Sequence, residues 1–332
     1  MSTGDFVLAA MQISAGASGM AAALSYALTV LLLIVAFDYA FGWAERKVIA
    51  KIQARHGPTY VGRFGLLQNL ADIIKLLSKE HAVPQKASSA LFTLVMPLML
   101  GLSIFLVLLV PFSPDLLGPD LGMGALVVFV LLSFMPLMAF VGGISSGNKF
   151  SSIGAQRSAL MLMAYELPAM VVLASVGALA GSYGFLDIIN AQALTNWFAF
   201  TMPLGFVVFF VAMLAELERP PFDMREADSE LVAGWLTDVS APYFGLALFV
   251  DYTRMFLGSL VMAILFLGGW AGPVLPPIAW LLLKAFAISF AIIIVRATTA
   301  RMKLDRLLRL GWVALLPLAI LNLIITFMIF MR

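Results

Sequence analysis

Long apolar runs separated by short polar segments dominate the chain. A helix needs roughly 20 mostly apolar residues to cross a hydrocarbon core about 30 Å thick. Eight such runs cover approximately residues 20–43, 90–111, 122–144, 158–180, 197–215, 242–269, 276–295 and 311–331. The pattern predicts an all-α fold, a polytopic membrane bundle of eight transmembrane helices that forms a single integral membrane domain over residues 1–332.

The segment from Arg63 to Glu80 has a different pattern, in which apolar residues recur at helical spacing along one side. The apolar side comprises Leu66, Leu67, Leu70, Ile73, Ile74 and Leu77, and the other side carries Gln68, Asp72, Lys75 and Lys79. The pattern predicts an amphipathic helix that lies in the membrane interface, within a first cytoplasmic loop over residues 44–89.

Composition and charge agree with a membrane protein and indicate its orientation. The chain is 62% hydrophobic and 11% charged, with a mean hydropathy of +1.03, which excludes a water-soluble domain. Seventeen of the 20 lysines and arginines fall in the loops after the first, third, fifth and seventh runs. Because basic residues collect in cytoplasmic loops, these loops, including an acidic loop over 216–241 and a basic loop over 296–310, are predicted to be cytoplasmic. Both termini then lie on the non-cytoplasmic side of a prokaryotic cell membrane, with Arg332 among the few basic residues there.

The residue types limit the redox chemistry. The chain has no cysteine and two histidines, His56 and His81. It therefore lacks the ligands for an iron–sulfur cluster, a thiolate zinc site or a bis-histidine haem within the bilayer. We expect no metal and no cofactor bound by this chain alone, lipid as its surroundings, and no contact with nucleic acid.

Ionisable residues inside a membrane span are costly, and each is a functional hypothesis. Glu166 lies two residues before Pro168, whose missing N–H can open the helix to water or to another polar group. Burial would raise the pKa of such a carboxyl group towards the range of reversible protonation. The alternative interpretation is a carboxylate at the membrane edge, capped by a nearby hydroxyl group.

Four other charged residues lie in the predicted spans. Asp251 and Arg254 are three residues apart, on one helix face, and could neutralise each other. Asp38 and Lys284 lie close enough to a span end to reach the interface, so we expect them to be anchors or pairing groups.

The densest charge cluster follows the fifth run. Its acidic residues are Glu216, Glu218, Asp223, Glu226, Asp228 and Glu230, against only Arg219 and Arg225. Pro220, Pro221 and Phe222 within the cluster indicate a fixed fold and not a flexible tether. Carboxylates held close together cannot all be ionised, so a row of them leading towards Glu166 would form a proton path.

Five segments, in this order, resemble the subunit 1 family of respiratory complex I. They are Glu45–Pro58, Val61–Leu77, Arg219–Gly234, Leu267–Trp270 and Arg296–Trp312. The resemblance implies a membrane subunit of a proton-translocating quinone oxidoreductase that forms the quinone chamber where the membrane arm meets the hydrophilic arm. It also implies a quinone or quinone-like acceptor as substrate, and flavin and iron–sulfur clusters in partner subunits. The implied partners are the hydrophilic-arm iron–sulfur and quinone-site subunits together with antiporter-like and small membrane subunits, and no catalytic activity is expected of the chain alone.

The resemblance also assigns roles to particular residues. The chamber and arm interface would involve Glu45, Arg46, Lys47 and Arg55. The proton path would involve Glu166, Glu216, Asp223, Glu226 and Glu230, with supporting charges at Arg219, Asp251 and Arg254. Partner docking would involve Arg296, Arg301 and Arg309. In the motif around Glu166, Ala164 stands where the family has serine.

Several positions depart from the family's pattern. Thr59 and Tyr60 replace a more usual Asn-Arg pair, the segment Ile144–Lys149 differs, and Glu218, Pro220 and Arg225 are atypical. These departures are compatible with a divergent complex that uses NAD(P)H, a deazaflavin or ferredoxin as donor and a quinone or a phenazine as acceptor. Two other functions stay open on the residues alone: an autonomous ion or proton transporter, and the membrane anchor of a related hydrogenase.

Overall fold

A computed structural model describes residues 17–226 and 228–330, and the described residues form an all-α structure without β-strands. The helices are α1 (Ala17–Ile52), α2 (Gln68–Leu77), α3 (Ser89–Leu108), α4 (Gly124–Leu132), α5 (Phe134–Ser145), α6 (Lys149–Ala180), α7 (Phe185–Leu194), α8 (Phe198–Thr201), α9 (Pro203–Glu216), α10 (Asp228–Leu231), α11 (Ala241–Leu267), α12 (Pro277–Thr298), α13 (Leu304–Arg309) and α14 (Leu316–Phe330). Short helical turns precede α2 and α11 and join α13 to α14. The predicted single domain extends beyond these residues, and Arg332 lies outside them.

Seven helical segments among the described residues are long and apolar enough to cross a membrane. They are Ala23–Ile52, Ser89–Leu108, Gly124–Ser145, Lys149–Ala180, Ala241–Leu267, Pro277–Thr298 and Leu304–Met328. The predicted polytopic helical bundle is therefore confirmed. The remaining predicted span, 197–215, consists of the two short helices α8 and α9, which are separated at Met202. The count of eight transmembrane helices stays a prediction.

Two long helices extend past the apolar runs that predicted them. Helix α1 continues to Ile52, and α6 begins at Lys149, where the Asn148 side chain accepts a hydrogen bond from the backbone N–H of Phe150 at 3.0 Å. Charged and polar residues end an apolar run without ending a helix, because they are tolerated wherever one helix face meets water or a polar partner. The additional turns of α1 place Glu45 and Arg46 on a helix and not in a flexible loop.

Helix α11 forms the centre of the bundle. Every residue from Thr253 to Phe266 is buried. The rings of Phe37 and Phe256 stack with centroids 4.3 Å apart, and Phe41 stacks on Phe37 at 4.2 Å. Such close packing transmits small shifts between neighbouring helices and makes α11 a rigid reference for Asp251 and Tyr252, which directly precede the buried stretch.

The segments rich in basic residues meet at one end of the bundle, here called the basic end. The Ser88 N–H donates to the Ser145 carbonyl at 2.8 Å, and the Ser151 hydroxyl donates to the Trp235 carbonyl at 3.0 Å. These contacts join the segments that follow the first, third and fifth predicted spans. That this end faces the cytoplasm stays a prediction.

The two other charged residues of the spans have polar partners. The Lys284 ammonium donates to the carbonyls of Leu267, Gly269 and Ala271 at 2.6, 2.8 and 2.9 Å, so it caps the turn after α11 at the opposite end of the bundle. Asp38 is buried and accepts a hydrogen bond from the Thr253 hydroxyl at 3.0 Å. Both residues are thus pairing groups inside the structure.

The predicted amphipathic helix is confirmed as α2. All six residues of its apolar side are exposed, whereas the Asn69 side chain donates to the Tyr39 carbonyl at 2.9 Å on the inner side. Gly42 permits this close approach, because a Cβ there would lie 2.6 Å from the Asn69 amide nitrogen. The exposed apolar face is what a helix at a membrane interface requires.

Candidate functional site

A polar cavity of about 630 Å³ opens at the basic end, between α1, α11, α12 and the acidic segment 216–230. Its lining combines carboxylates, arginines and a tyrosine with few apolar side chains. The lining residues are Glu45, Arg46, Ile49, Gln53, Arg55, His56, Gly57, Pro58, Arg219, Pro220, Glu226, Leu248, Asp251, Tyr252 and Arg296. Charged groups of both signs concentrated in one cavity inside a membrane protein mark a functional site.

Glu45 organises one wall of the cavity. Its carboxylate is buried and pairs with the guanidinium groups of Arg219, at 3.3 Å, and Arg296. The Tyr252 hydroxyl also donates to Glu45, and the Arg219 guanidinium lies over the Tyr252 ring, 5.2 Å from its centroid. Glu45 thus fixes three donor side chains from three different elements around the cavity.

Arg225 lies behind the opposite wall and is buried. Its guanidinium is 3.3 Å from Glu226, 3.1 Å from Asp251 and 2.8 Å from Glu218, measured between nitrogen and oxygen atoms. It also lies over the Trp235 ring, 5.0 Å from the centroid. The network connects the cavity to charged groups deeper in the bundle.

A glycine allows the acidic segment to fold over this network. The Trp235 N–H donates to the Arg225 carbonyl at 3.3 Å, across Gly234. Gly234 has φ +54°, and a Cβ there would lie 1.8 Å from the Arg225 carbonyl oxygen. A side chain at this position would push Arg225 out of place, which is the physical reason for a glycine here.

Further carboxylates continue from the network into the bundle. Glu218 is buried between Arg225 and Arg254, whose guanidinium lies 3.4 Å away, and it accepts a hydrogen bond from the Ser158 hydroxyl. Glu216 is buried, and within the described part of the chain its Oε1 makes no hydrogen bond. Glu216 lies close enough to Glu218 and Glu166 for their charges to repel. The carboxylates Glu226, Glu218, Glu216 and Glu166 therefore form a row from the cavity into the membrane part of the protein.

The surroundings change the proton affinity of the groups on the acidic segment. Partial burial raises the pKa of Glu226 to about 7, against the opposing effect of the Arg225 charge, and the negative charges of Asp251 and Asp223 raise it further. Burial also raises the pKa of Asp223 above its usual range. Glu226 can therefore gain and lose a proton near neutral pH at the edge of the cavity.

The predicted site residues fall into three groups. Those in the cavity wall are Glu45, Arg46, Arg55, Arg219, Glu226, Asp251 and Arg296, and those behind or below it are Glu166, Glu216 and Arg254. Lys47, Asp223, Glu230, Arg301 and Arg309 do not line the cavity. Lys47 instead packs against Gly57, where a Cβ would lie 3.1 Å from Lys47 Cδ.

Glu230 lies on the outer side of the acidic segment. It pairs with Arg157 at 2.5 Å and lies 3.7 Å from Arg301, and its side chain is 49% exposed. These contacts lower the pKa of Glu230, the hydrogen bond from Arg157 most of all. Arg309, predicted to dock a partner, is exposed at the end of α13, whereas Arg296 turns into the cavity.

Asp251 and Arg254 each have a partner on the acidic segment. Asp251 pairs with Arg225, and Arg254 pairs with Glu218 and donates to the Glu216 carbonyl. Their spacing on α11 placed both on the same face of the helix, but it held no information about these partners.

Sequence reasoning did not identify every residue of the site. Gln53, His56 and Tyr252 line the cavity without having been singled out, and Ser158 binds Glu218 without being part of a motif. A usable signal existed for Gln53 and His56, which lie within the segment Glu45–Pro58, and for Tyr252, which stands between Asp251 and Arg254.

Comparison with known proteins identifies relatives over most of the chain. Residues 24–327 match the family model of NADH dehydrogenase. The chain is similar to the second H-type subunit of the NADH-quinone oxidoreductase of Syntrophobacter fumaroxidans, with 38% identity over 323 residues that cover 94% of this chain and 96% of that protein. It is also similar to the H-type subunit of the NADH-quinone oxidoreductase of Dehalococcoides mccartyi, with 39% identity over 287 residues that cover 86% of this chain and 80% of that protein.

Proposed function

We propose a role for this chain within the NADH dehydrogenase family of complex I subunits, the family to which it belongs. In this role it is the membrane subunit that forms the quinone-binding chamber at the junction with the hydrophilic arm. It couples quinone reduction there to proton translocation across the prokaryotic cell membrane.

The observation that carries the proposal is the continuity between the polar cavity and the row of carboxylates, of which Glu218 and Glu216 are buried. The cavity lies at the basic end, and Glu226, in its wall, is the first member of a row that continues through Glu218 and Glu216 to Glu166. Ionisable side chains inside a membrane protein are costly, and those that face a cavity commonly mark an ion pathway or a substrate site.

The cavity provides the donors that a quinone headgroup requires. The carbonyl oxygens of a quinone accept hydrogen bonds, and the guanidinium groups of Arg219 and Arg296, which have more N–H groups than Glu45 can bind, are donors in one wall. Donors held in place by Glu45 also stabilise the negative charge that develops on these oxygens during reduction.

Reduction of a quinone takes up electrons and protons in equal number. In the proposal the electrons come from iron–sulfur clusters of the hydrophilic-arm subunits, which also hold the flavin. The protons come from carboxylates of the cavity wall, with Glu226 suited to this by its pKa of about 7. The resulting change of charge in the wall is felt along the carboxylate row, which would pass it to antiporter-like membrane subunits.

The relatives' names support NADH as donor and a quinone as acceptor for this chain. A deazaflavin or ferredoxin donor and a phenazine acceptor are the less supported versions of the same role. Membership of the family also favours a subunit of an oxidoreductase over an autonomous transporter or a hydrogenase anchor. In the proposal the remaining charged surface, including Arg301 and Arg309, contacts partner subunits.

The Glu216→Gln variant of the intact complex tests the coupling role. Glutamine keeps the shape of the side chain but cannot carry a proton. We expect NADH oxidation with a short-chain quinone to fall on the order of 100-fold, the scale of a lost proton-transfer group. NADH oxidation with an artificial acceptor that takes electrons from the hydrophilic arm should be unchanged.

Glu230→Gln is the matched control, since Glu230 lies outside the row and its exposed ion pairs contribute little. We expect its quinone activity to stay close to that of the unmodified complex. If Glu216→Gln keeps full quinone activity and full proton translocation, the row of carboxylates has no part in the mechanism.

A further inference from the structure

Arg225 lies between two sets of carboxylates that face different surroundings. Glu226 and Asp251 belong to the cavity wall, whereas Glu218 is buried below it. The Arg225 side chain is 3% exposed, so its charge cannot be screened by water and depends on these partners. It is the group through which the two sets are in contact.

The two ends of the guanidinium serve different partners. Its Nη2 lies 3.3 Å from a Glu226 oxygen and 3.1 Å from an Asp251 oxygen, and its Nη1 lies 2.8 Å from a Glu218 oxygen. A planar guanidinium with several fixed donors can bind carboxylates on two sides at once, which an ammonium group cannot do as well. The three carboxylates therefore compete for one positive charge.

Glu218 and Glu226 differ in how firmly they are held. Glu218 has Arg254 and the Ser158 hydroxyl as additional partners and is 3% exposed. Glu226 is 36% exposed and faces the cavity. Glu226 is thus the partner whose charge can change with the contents of the cavity, and Glu218 is the partner that its additional contacts hold in place.

We propose that Arg225 is a positioning residue that transmits the charge state of Glu226 in the cavity wall to the buried carboxylate Glu218. When Glu226 is protonated, its hold on the guanidinium weakens and the positive charge acts on Glu218 and the row beyond it. When Glu218 loses its charge, the guanidinium acts more strongly on Glu226. That this link serves quinone reduction rests on the proposed function. The contacts that form the link are made within this chain alone.

The groups that act on Glu226 come from every element around it. The charged neighbours are Arg225, Asp223 and Arg219 from the acidic segment, Asp251 from α11, Glu45 and Arg46 from α1, Arg55 and His56 from the segment after α1, and Arg296 from α12. Of these arginines, Arg225 makes an ion pair with Glu226 at 3.3 Å. The pKa of Glu226, about 7, makes its titration observable in the intact complex.

Infrared difference spectroscopy of the purified complex tests the link. The protonated carboxyl group of Glu226 is identified as the C=O band that Glu226→Gln removes, and the pH midpoint of this band is then measured. Arg225→Gln should raise the midpoint by about 1–3 pH units, because a neighbouring positive charge favours the ionised form. Glu218→Gln should lower it, because the guanidinium is released towards Glu226.

Two further variants separate a charge effect from a structural one. Arg225→Lys keeps the charge and should bring the midpoint back towards its original value, and Glu230→Gln should leave it unchanged. Shifts of opposite sign in Arg225→Gln and Glu218→Gln are not expected of residues that act only through packing. If Arg225→Gln does not assemble, Arg225→Lys takes its place, and Glu218→Gln should then shift the midpoint less than it does with Arg225 present, because an ammonium group cannot bind carboxylates on two sides as well.

The proposal would be overturned if the pH midpoint of the Glu226 band were unchanged or raised in Glu218→Gln. The proposal would also fail if the Arg225→Gln complex assembled and its Glu226 band had the same pH midpoint as in the unmodified complex. Either result would leave quinone binding in the cavity untouched, so that failure of this inference can be told from failure of the proposed function.

Discussion

Glu226 has the properties of the group that exchanges protons with the cavity. It is partly exposed to the cavity, touches Arg225 and has a pKa of about 7 because of partial burial beside Asp251 and Asp223. Above this pH the carboxyl group is ionised and has no proton to donate to the quinone.

Proton translocation coupled to quinone reduction should therefore fall as the pH rises through about 7. In Glu226→Gln the rate should be low throughout and should lose this dependence. The measurement is proton uptake by vesicles containing the complex, followed at a series of pH values. An unchanged pH dependence in Glu226→Gln would assign the transition to another group.

The sequence identified the residues of the site better than it identified their partners. The acidic segment was recognised from its charge and Glu45 from the family resemblance, and the cavity is lined by Glu45 and by part of the acidic segment. The partners of Arg225 depend on the path of the chain around Gly234 and on contacts with α11, and residue order holds no information about either. Glu218 and Arg225, which both depart from the family's pattern, are partners in the structure.

Helix α9 is the element on which the number of membrane crossings depends. Its 14 residues extend about 21 Å at 1.5 Å per residue, less than the hydrocarbon core of about 30 Å. Helix α8 precedes it with a break at Met202, so the two together supply the remaining length. Hydropathy predicted one continuous span here because the apolar composition is the same on both sides of the break.

We expect the α8–α9 pair to cross the membrane, with Asn196 outside and Val232 on the cytoplasmic side. The chain has no cysteine, so a single introduced one can be labelled without background on this subunit. Both positions are exposed. A membrane-impermeant maleimide should label Asn196→Cys in intact cells and Val232→Cys only in inside-out vesicles.

Labelling of both cysteines from the same side would show that α8 and α9 do not cross. The reverse pattern would keep the crossing but contradict the orientation derived from the basic loops. The Lys79→Cys variant, on the basic end just beyond α2, is the control and should react from the same side as Val232→Cys.

At the scale of the whole molecule, charge is separated along the bundle. The loops with most of the lysines and arginines meet the acidic segment at the basic end, and the cavity lies between them. The long apolar runs were sufficient to predict the bundle, since burial in lipid dictates where long apolar helices form. The cavity was not predictable in the same way, because it depends on how helix ends and loops pack around Glu45 and Arg225.

The central claim is that this cavity receives the headgroup of the quinone. Photolabelling tests it most directly: the intact complex in its membrane is irradiated with a quinone that carries an azido group on its ring, and the labelled peptides are identified by mass spectrometry. We predict labels within residues 45–58, 219–226 or 248–252 or at Arg296, and their loss in excess unlabelled quinone. Competable labelling confined to other parts of this chain, or to other subunits, would contradict the account.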